Sequence, residues 1–67
     1  GKEGKIEMDK GKAKELLARL TEKWPGAETL YEDVIIDEVG LDGLIALREN
    51  HLIETCAMFG GRKLYAL

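Results

Sequence analysis

The stretch Thr29-Leu30-Tyr31-Glu32-Asp33-Val34-Ile35-Ile36-Asp37-Glu38-Val39-Gly40-Leu41-Asp42 decides how the chain is read. It opens on Thr29 and Glu32 at the spacing of a capping box, in which the hydroxyl and the carboxylate each satisfy an orphan backbone N–H at a helix start. Leu30 to Val39 then fits a helix. Gly40 fits the left-handed position behind its last turn, because glycine has no Cβ to clash there. Leu41 follows as the apolar contact of that cap, and Asp42 as the N-cap of a further helix over Gly43 to Asn50, with Leu44, Leu47 and Ile45 turned inward.

Upstream, Ala13, Leu16, Leu17, Leu20 and Trp24 form one stripe at helical spacing, so the pattern predicts a helix over 10–24. Asp9 is its expected N-cap and Pro25-Gly26 its stop. Lys12, Lys14, Arg19 and Lys23 lie on the opposite face among acids such as Glu15 and Glu22, which suits a solvated face. Residues 1–9, with Gly1, Gly4 and alternating charge, are expected to be a flexible leader or linker ahead of a domain over 10–67.

Downstream, Leu52 to Phe59 is β-like, and Gly60-Gly61 is suited to a two-residue primed turn that returns the chain as Arg62 to Leu67. That turn pairs Met58 with Lys63, Ala57 with Leu64, Cys56 with Tyr65 and Thr55 with Ala66. One face of the expected hairpin carries Ile53, Thr55, Ala57, Phe59, Leu64 and Ala66. The other carries Leu52, Cys56, Met58, Tyr65 and Leu67. A hairpin covering a helical core needs only one apolar face, so the second is either buried by the helices' ends or offered to a partner, and Phe59 and Met58 beside the turn are the expected exposed anchors.

Three helices and a hairpin make an α+β, mainly helical domain. That order resembles the winged-helix superfamily, a likeness carried by Glu28-Thr29-Leu30-Tyr31-Glu32-Asp33-Val34, Glu38-Val39-Gly40-Leu41, Leu44-Ile45-Ala46-Leu47 and His51-Leu52-Ile53-Glu54. The closing Gly61-Arg62-Lys63-Leu64-Tyr65-Ala66-Leu67 looks like a second wing strand. The resemblance covers about Asp9 to Leu67 and implies a three-helix domain with a C-terminal β-hairpin wing. It also implies recognition of duplex DNA, by a helix in the major groove and a wing on the backbone, or of another protein by the same fold. The step from Gly40 to Leu52 is 12 residues, shorter than in common DNA-reading members, which removes much of the usual reading head.

Charge separates these two expectations. Residues 1–23 carry +2, residues 24–54 carry −7 and residues 55–67 carry +2. Phosphate contacts supply most non-specific affinity for DNA, so a central unit at −7 is repelled by a duplex. The leading expectation is therefore a non-catalytic recognition module that docks another protein, or a second copy of itself, in a regulatory or DNA-transaction setting. Phe59, Met58, Asp37, Glu38 and Asp42 are its candidate partner-binding residues. The alternative is a duplex-DNA-binding regulator, using Arg62 and Lys63 on phosphate, Arg48 and Asn50 on bases, and Lys12 on the basic face of the first helix.

Other function classes find little support in the residues. At 45% hydrophobic and 34% charged, the chain has the balance of a folded domain, and no apolar run approaches the ~18 residues of a membrane span. The start lacks the apolar core of a signal peptide, so a cytoplasmic protein is expected. The chain has no Ser and no Gln, and only one Asn, a weak compositional lean toward a thermophile. One Cys and one His are too few for structural zinc, and no metal, cofactor or small-molecule substrate is expected. Asp33/Asp37 and Glu38/Asp42 stand at i, i+4 but lack an orienting partner in the sequence, so they read as an acidic solvent face. His51 and Cys56 read as a helix-end residue and a packing residue, not as base and nucleophile, and no enzymatic activity is expected.

Overall fold

The computed structural model describes residues 10–67 as α1 (Lys10–Lys23), β1 (Thr29–Tyr31), α2 (Glu32–Glu49), β2 (Glu54–Phe59) and β3 (Arg62–Ala66). The class is α+β and mainly helical, with two helices and a three-stranded antiparallel sheet in the order β1-β3-β2. The expected leader over 1–9 and the Asp9 cap lie outside the described residues. No helix among the described residues is long and apolar enough to cross a membrane.

Helix α1 follows its apolar stripe and ends within a residue of the expected stop. Ala13, Leu16 and Leu20 are buried, while Leu17 and Trp24 pack at the margin. The stop is set by Gly26, whose φ of 81° carries the chain away from the helix while the Ala27 N–H donates to the Trp24 carbonyl at 3.1 Å.

The capping-box reading of Thr29 and Glu32 is overturned. Thr29–Tyr31 is a strand, antiparallel to β3 with Leu30 opposite Tyr65, and α2 begins only at Glu32. Tyr31 occupies the N-cap position with extended backbone and no side-chain cap. The carboxylate assigned to capping instead accepts a hydrogen bond from the Tyr65 hydroxyl at 2.8 Å. A sheet bond outweighs a cap here because Leu30 and Tyr65 both become buried by it. The Leu67 N–H donating to Glu28 at 3.0 Å extends the same seam to the end of the chain.

Where two helices were expected behind that point, one element runs from Glu32 to Glu49, interrupted at Gly40 (φ 81°, ψ 166°). The positive φ expected at Gly40 is present, but its ψ of 166° is not the left-handed cap conformation and the expected linker behind it is absent: Asp42 lies inside the helix and is not an N-cap. Leu41 does not fold back as a cap contact, being 57% exposed, and Ile45 is 40% exposed instead of inward. Leu44 and Leu47 are buried as expected, together with Ala46. The break at Gly40 brings Val39 over Gly43, where a Cβ would stand 2.8 Å from the Val39 Cβ and Cγ2. Gly43 is itself buried, so the break and the bare backbone three residues later form one joint.

Helix α2 closes in a Schellman arrangement: the Leu52 N–H donates to Leu47 at 3.0 Å and the His51 N–H to Arg48 at 3.0 Å. His51 takes the left-handed position, with φ 58°. The hairpin turn falls at Gly60-Gly61 with φ of 57° and 81°, the two positive angles of a primed turn. Met58 opposes Lys63 and Ala57 opposes Leu64 as expected, but a bulge at Cys56 then shifts the register to Thr55↔Tyr65 and Glu54↔Ala66. The extra residue alters which side chains share a face beyond the bulge. Cys56 is consequently exposed and not a packing residue.

The core is formed by Ala13, Leu16 and Leu20 of α1, Ile35, Leu44, Ala46 and Leu47 of α2, Leu30 of β1, Ile53 and Tyr65. Tyr65 is fully buried, and its burial, reinforced by the Glu32 carboxylate, pushes the phenol above its usual range.

Candidate functional site

Two exposed surfaces and one latch stand out in the structure, and only some of the residues singled out by sequence fall on them. The first surface is the hairpin tip. Every residue of β2 except Ala57 is exposed, because this strand lies at the sheet edge and runs out past the core. Met58 and Phe59 are each 57% exposed beside the turn. Successive strand residues point to opposite faces, so the tip presents a large apolar group on each side.

The latch stands next to that tip. Arg62, opposite Phe59, donates from Nη2 to both carboxylate oxygens of Asp33 at 3.0 Å and from Nε to Oδ1 at 3.3 Å. Its guanidinium also lies 3.9 Å from the Tyr31 ring centroid. The Arg62 hydrogen bonds hold the Asp33 carboxyl below its ordinary range. Arg62 is thus tied to the start of α2 by a fork of donors and by stacking, a geometry suited to guanidinium. The sequence reading placed Arg62 on phosphate and did not connect it with Asp33 or Tyr31, which are far away in the chain. Lys63, its neighbour, is half-buried.

The acids named as partner-binding are divided by the fold. Glu38 is engaged by α1, with Lys23 Nζ at 3.0 Å and Arg19 Nε at 3.8 Å. These contacts bind the basic face of α1 to α2, and Lys23 also lies 5.5 Å from the Trp24 ring. Asp37 and Asp42 are exposed and form no ion pair with a described residue.

The residues named for nucleic acid lie on three elements: Lys12 on α1, Arg48 and Asn50 at the end of α2, and Arg62 and Lys63 on β3. Asn50 uses its amide on its own helix, donating to the Ala46 carbonyl at 2.8 Å. Lys12 pairs with Glu15 at 3.8 Å on α1. Arg48 is exposed on α2, where it borders a shallow depression with Ile45 and Glu49.

The second surface was missed by sequence. Leu41 and Ile45 sit one turn apart on the outer side of α2 after its break, opposite the buried Leu44 and Leu47. The i, i+4 spacing is visible in the sequence, but Leu41 is expected there as the contact of the Gly40 cap and Ile45 as an inward residue. Among the described residues, no group of three or more His, Cys, Asp or Glu is placed to hold a metal. No family model, curated protein or solved structure matches the chain.

Proposed function

We propose that this chain is a non-catalytic recognition module of winged-helix type that docks another protein or subunit. The helical segments before and after Gly40, counted separately and joined to α1, stand ahead of the hairpin in the order the winged-helix resemblance implies. The observation that carries the reading is the hairpin tip. Its two large side chains are apolar and exposed, while its one arginine is held by Asp33 and Tyr31. Aromatic and Met side chains are enriched at protein interfaces, and a wing whose guanidinium is occupied by a carboxylate is poorly equipped for phosphate. The regulatory or DNA-transaction setting belongs to the same proposal.

The test compares Phe59→Asp with Arg62→Ala in two assays: association state by sedimentation velocity, and a salt-dependent titration with duplex DNA. Self-association, or capture of a defined binding protein, is lost with Phe59→Asp and kept with Arg62→Ala. Duplex binding stays weak at physiological salt. Tight duplex binding that survives Phe59→Asp, and whose log–log salt slope falls by roughly one unit in Arg62→Ala, overturns the reading in favour of DNA.

A further inference from the structure

We infer that the outer face of α2 beyond Gly40 is a second docking surface, and that its occupant is a positively charged amphipathic helix of another protein. The inference rests on the protein-docking reading but uses different residues. Leu41 and Ile45, 57% and 40% exposed, form an apolar stripe one helical turn long. Asp42 and Glu49 lie seven residues apart, which places them on one flank of that stripe, and Arg48 lies on the other. A helix laid along such a stripe contributes anchors at i, i+3, i+4 and i+7.

The sign of the occupant follows from which charges are already used. Residues 24–54 hold eight acids and one base. Glu38 is matched by Arg19 and Lys23, and Asp33 by Arg62. Asp42 and Glu49 have no ion-pair partner among the described residues. Arg19, Lys23 and Arg62 are engaged elsewhere and no base among the described residues pairs with Asp42 or Glu49, so a partner's positive charge complements this flank. A second copy brings the same acidic excess and is disfavoured. A duplex brings phosphate against Asp42 and Glu49 and is disfavoured more strongly. Lysines flanking a leucine stripe fit the acidic flank and the apolar centre together, and one acid on the partner's far flank meets Arg48.

The probe is a labelled 18-residue leucine–lysine helical peptide, titrated into the full chain by fluorescence anisotropy (about five turns at 3.6 residues per turn). A scrambled peptide of identical composition and a duplex DNA serve as comparators. The expected result is that the helical peptide binds more tightly than either comparator. Leu41→Glu and Ile45→Glu each weaken it about tenfold or more, as loss of a central anchor does. Asp42→Lys with Glu49→Lys weakens it and flattens its salt dependence. Both apolar positions are exposed, and circular dichroism verifies that the variants fold. Phe59→Asp leaves peptide binding unchanged. Equal binding of the scrambled peptide, or indifference to both glutamate substitutions in folded protein, overturns the inference while leaving hairpin docking intact. Peptide binding abolished by Phe59→Asp reassigns it to the wing and also overturns the inference. Duplex binding tighter than the peptide overturns both readings.

Discussion

Gly43→Ala reverses the usual sign of a glycine-to-alanine change in a helix. On an open helix face the substitution stabilises by about 1 kcal/mol, since alanine loses less backbone freedom on folding. At Gly43 the new Cβ would lie 2.8 Å from the Cβ and Cγ2 of Val39 and 3.3 Å from Leu16 Cδ1. The Leu16 methyl is the end of a flexible side chain, whereas the Val39 atoms belong to a β-branched residue with little rotamer freedom. The strain must therefore be relieved by moving the two segments of α2 apart or lifting α2 from α1. Overpacking of this kind costs about 1–3 kcal/mol, and the stiffness of Val39 argues for the upper half of that range. Subtracting the propensity gain leaves a net loss of about 1–2 kcal/mol. A domain this small has a total stability of roughly 3–10 kcal/mol, so the loss is readily measured. Urea denaturation should show a lower midpoint with an unchanged slope. A midpoint equal to or above that of the parent chain would refute the close approach of Val39 to Gly43.

Gly40→Ala should also destabilise, by about 1 kcal/mol or more, although nothing lies within 4 Å of the added Cβ. Its cost comes from the backbone, which at φ 81° and ψ 166° is in a region reserved for glycine, and unchanged thermal stability would contradict that geometry. His51→Gly should stabilise by roughly 0.5–1 kcal/mol, because it relieves a left-handed β-carbon at the end of α2 at the expense of a more flexible unfolded chain. A decrease in melting temperature would count against the Schellman assignment. Asp33 should titrate below 3.8 by NMR and return toward that value in Arg62→Ala. Because its folded pKa is depressed, its contribution to stability is present above the unfolded value and disappears as pH falls through the folded one. An Asp33 titration indifferent to Arg62→Ala would remove the latch.

What was legible in the sequence came from patterns that one local mechanism determines. The α1 stripe is a period of 3.6 with buried Ala13, Leu16 and Leu20, and no tertiary contact contradicts it. The Gly60-Gly61 turn follows from glycine's tolerance of positive φ, and both angles are positive. Positive φ at Gly40 was legible for the same reason. Thr29–Tyr31 was misread because its residues satisfy two local rules at once, a capping box and a β-rich triplet. Only the distant β3 decides between them. The Cys56 bulge has no local signature either, as it reconciles the turn register with the burial of Tyr65 against β1.

The candidate surfaces were half legible for a related reason. Phe59 and Met58 were found because a hairpin tip is exposed wherever the rest of the chain goes. Leu41 and Ile45 were missed because inward and outward on α2 depend on the direction taken after Gly40. With Leu44, Ala46 and Leu47 already filling the inner face, the helix period leaves the opposite side for Leu41 and Ile45. Gly43 fixes that choice, since the close seating of the segment against Val39 and Leu16 requires a position without a side chain. Gly40 and Gly43 together therefore determine which face of α2 looks outward. A substitution that opens this joint should alter the outer face without touching either of its apolar residues. The same Gly43→Ala protein, where still folded, should bind the leucine–lysine peptide more weakly while its Phe59-dependent association persists. Peptide affinity unchanged in that variant, despite a measured loss of stability, would separate the joint from the surface.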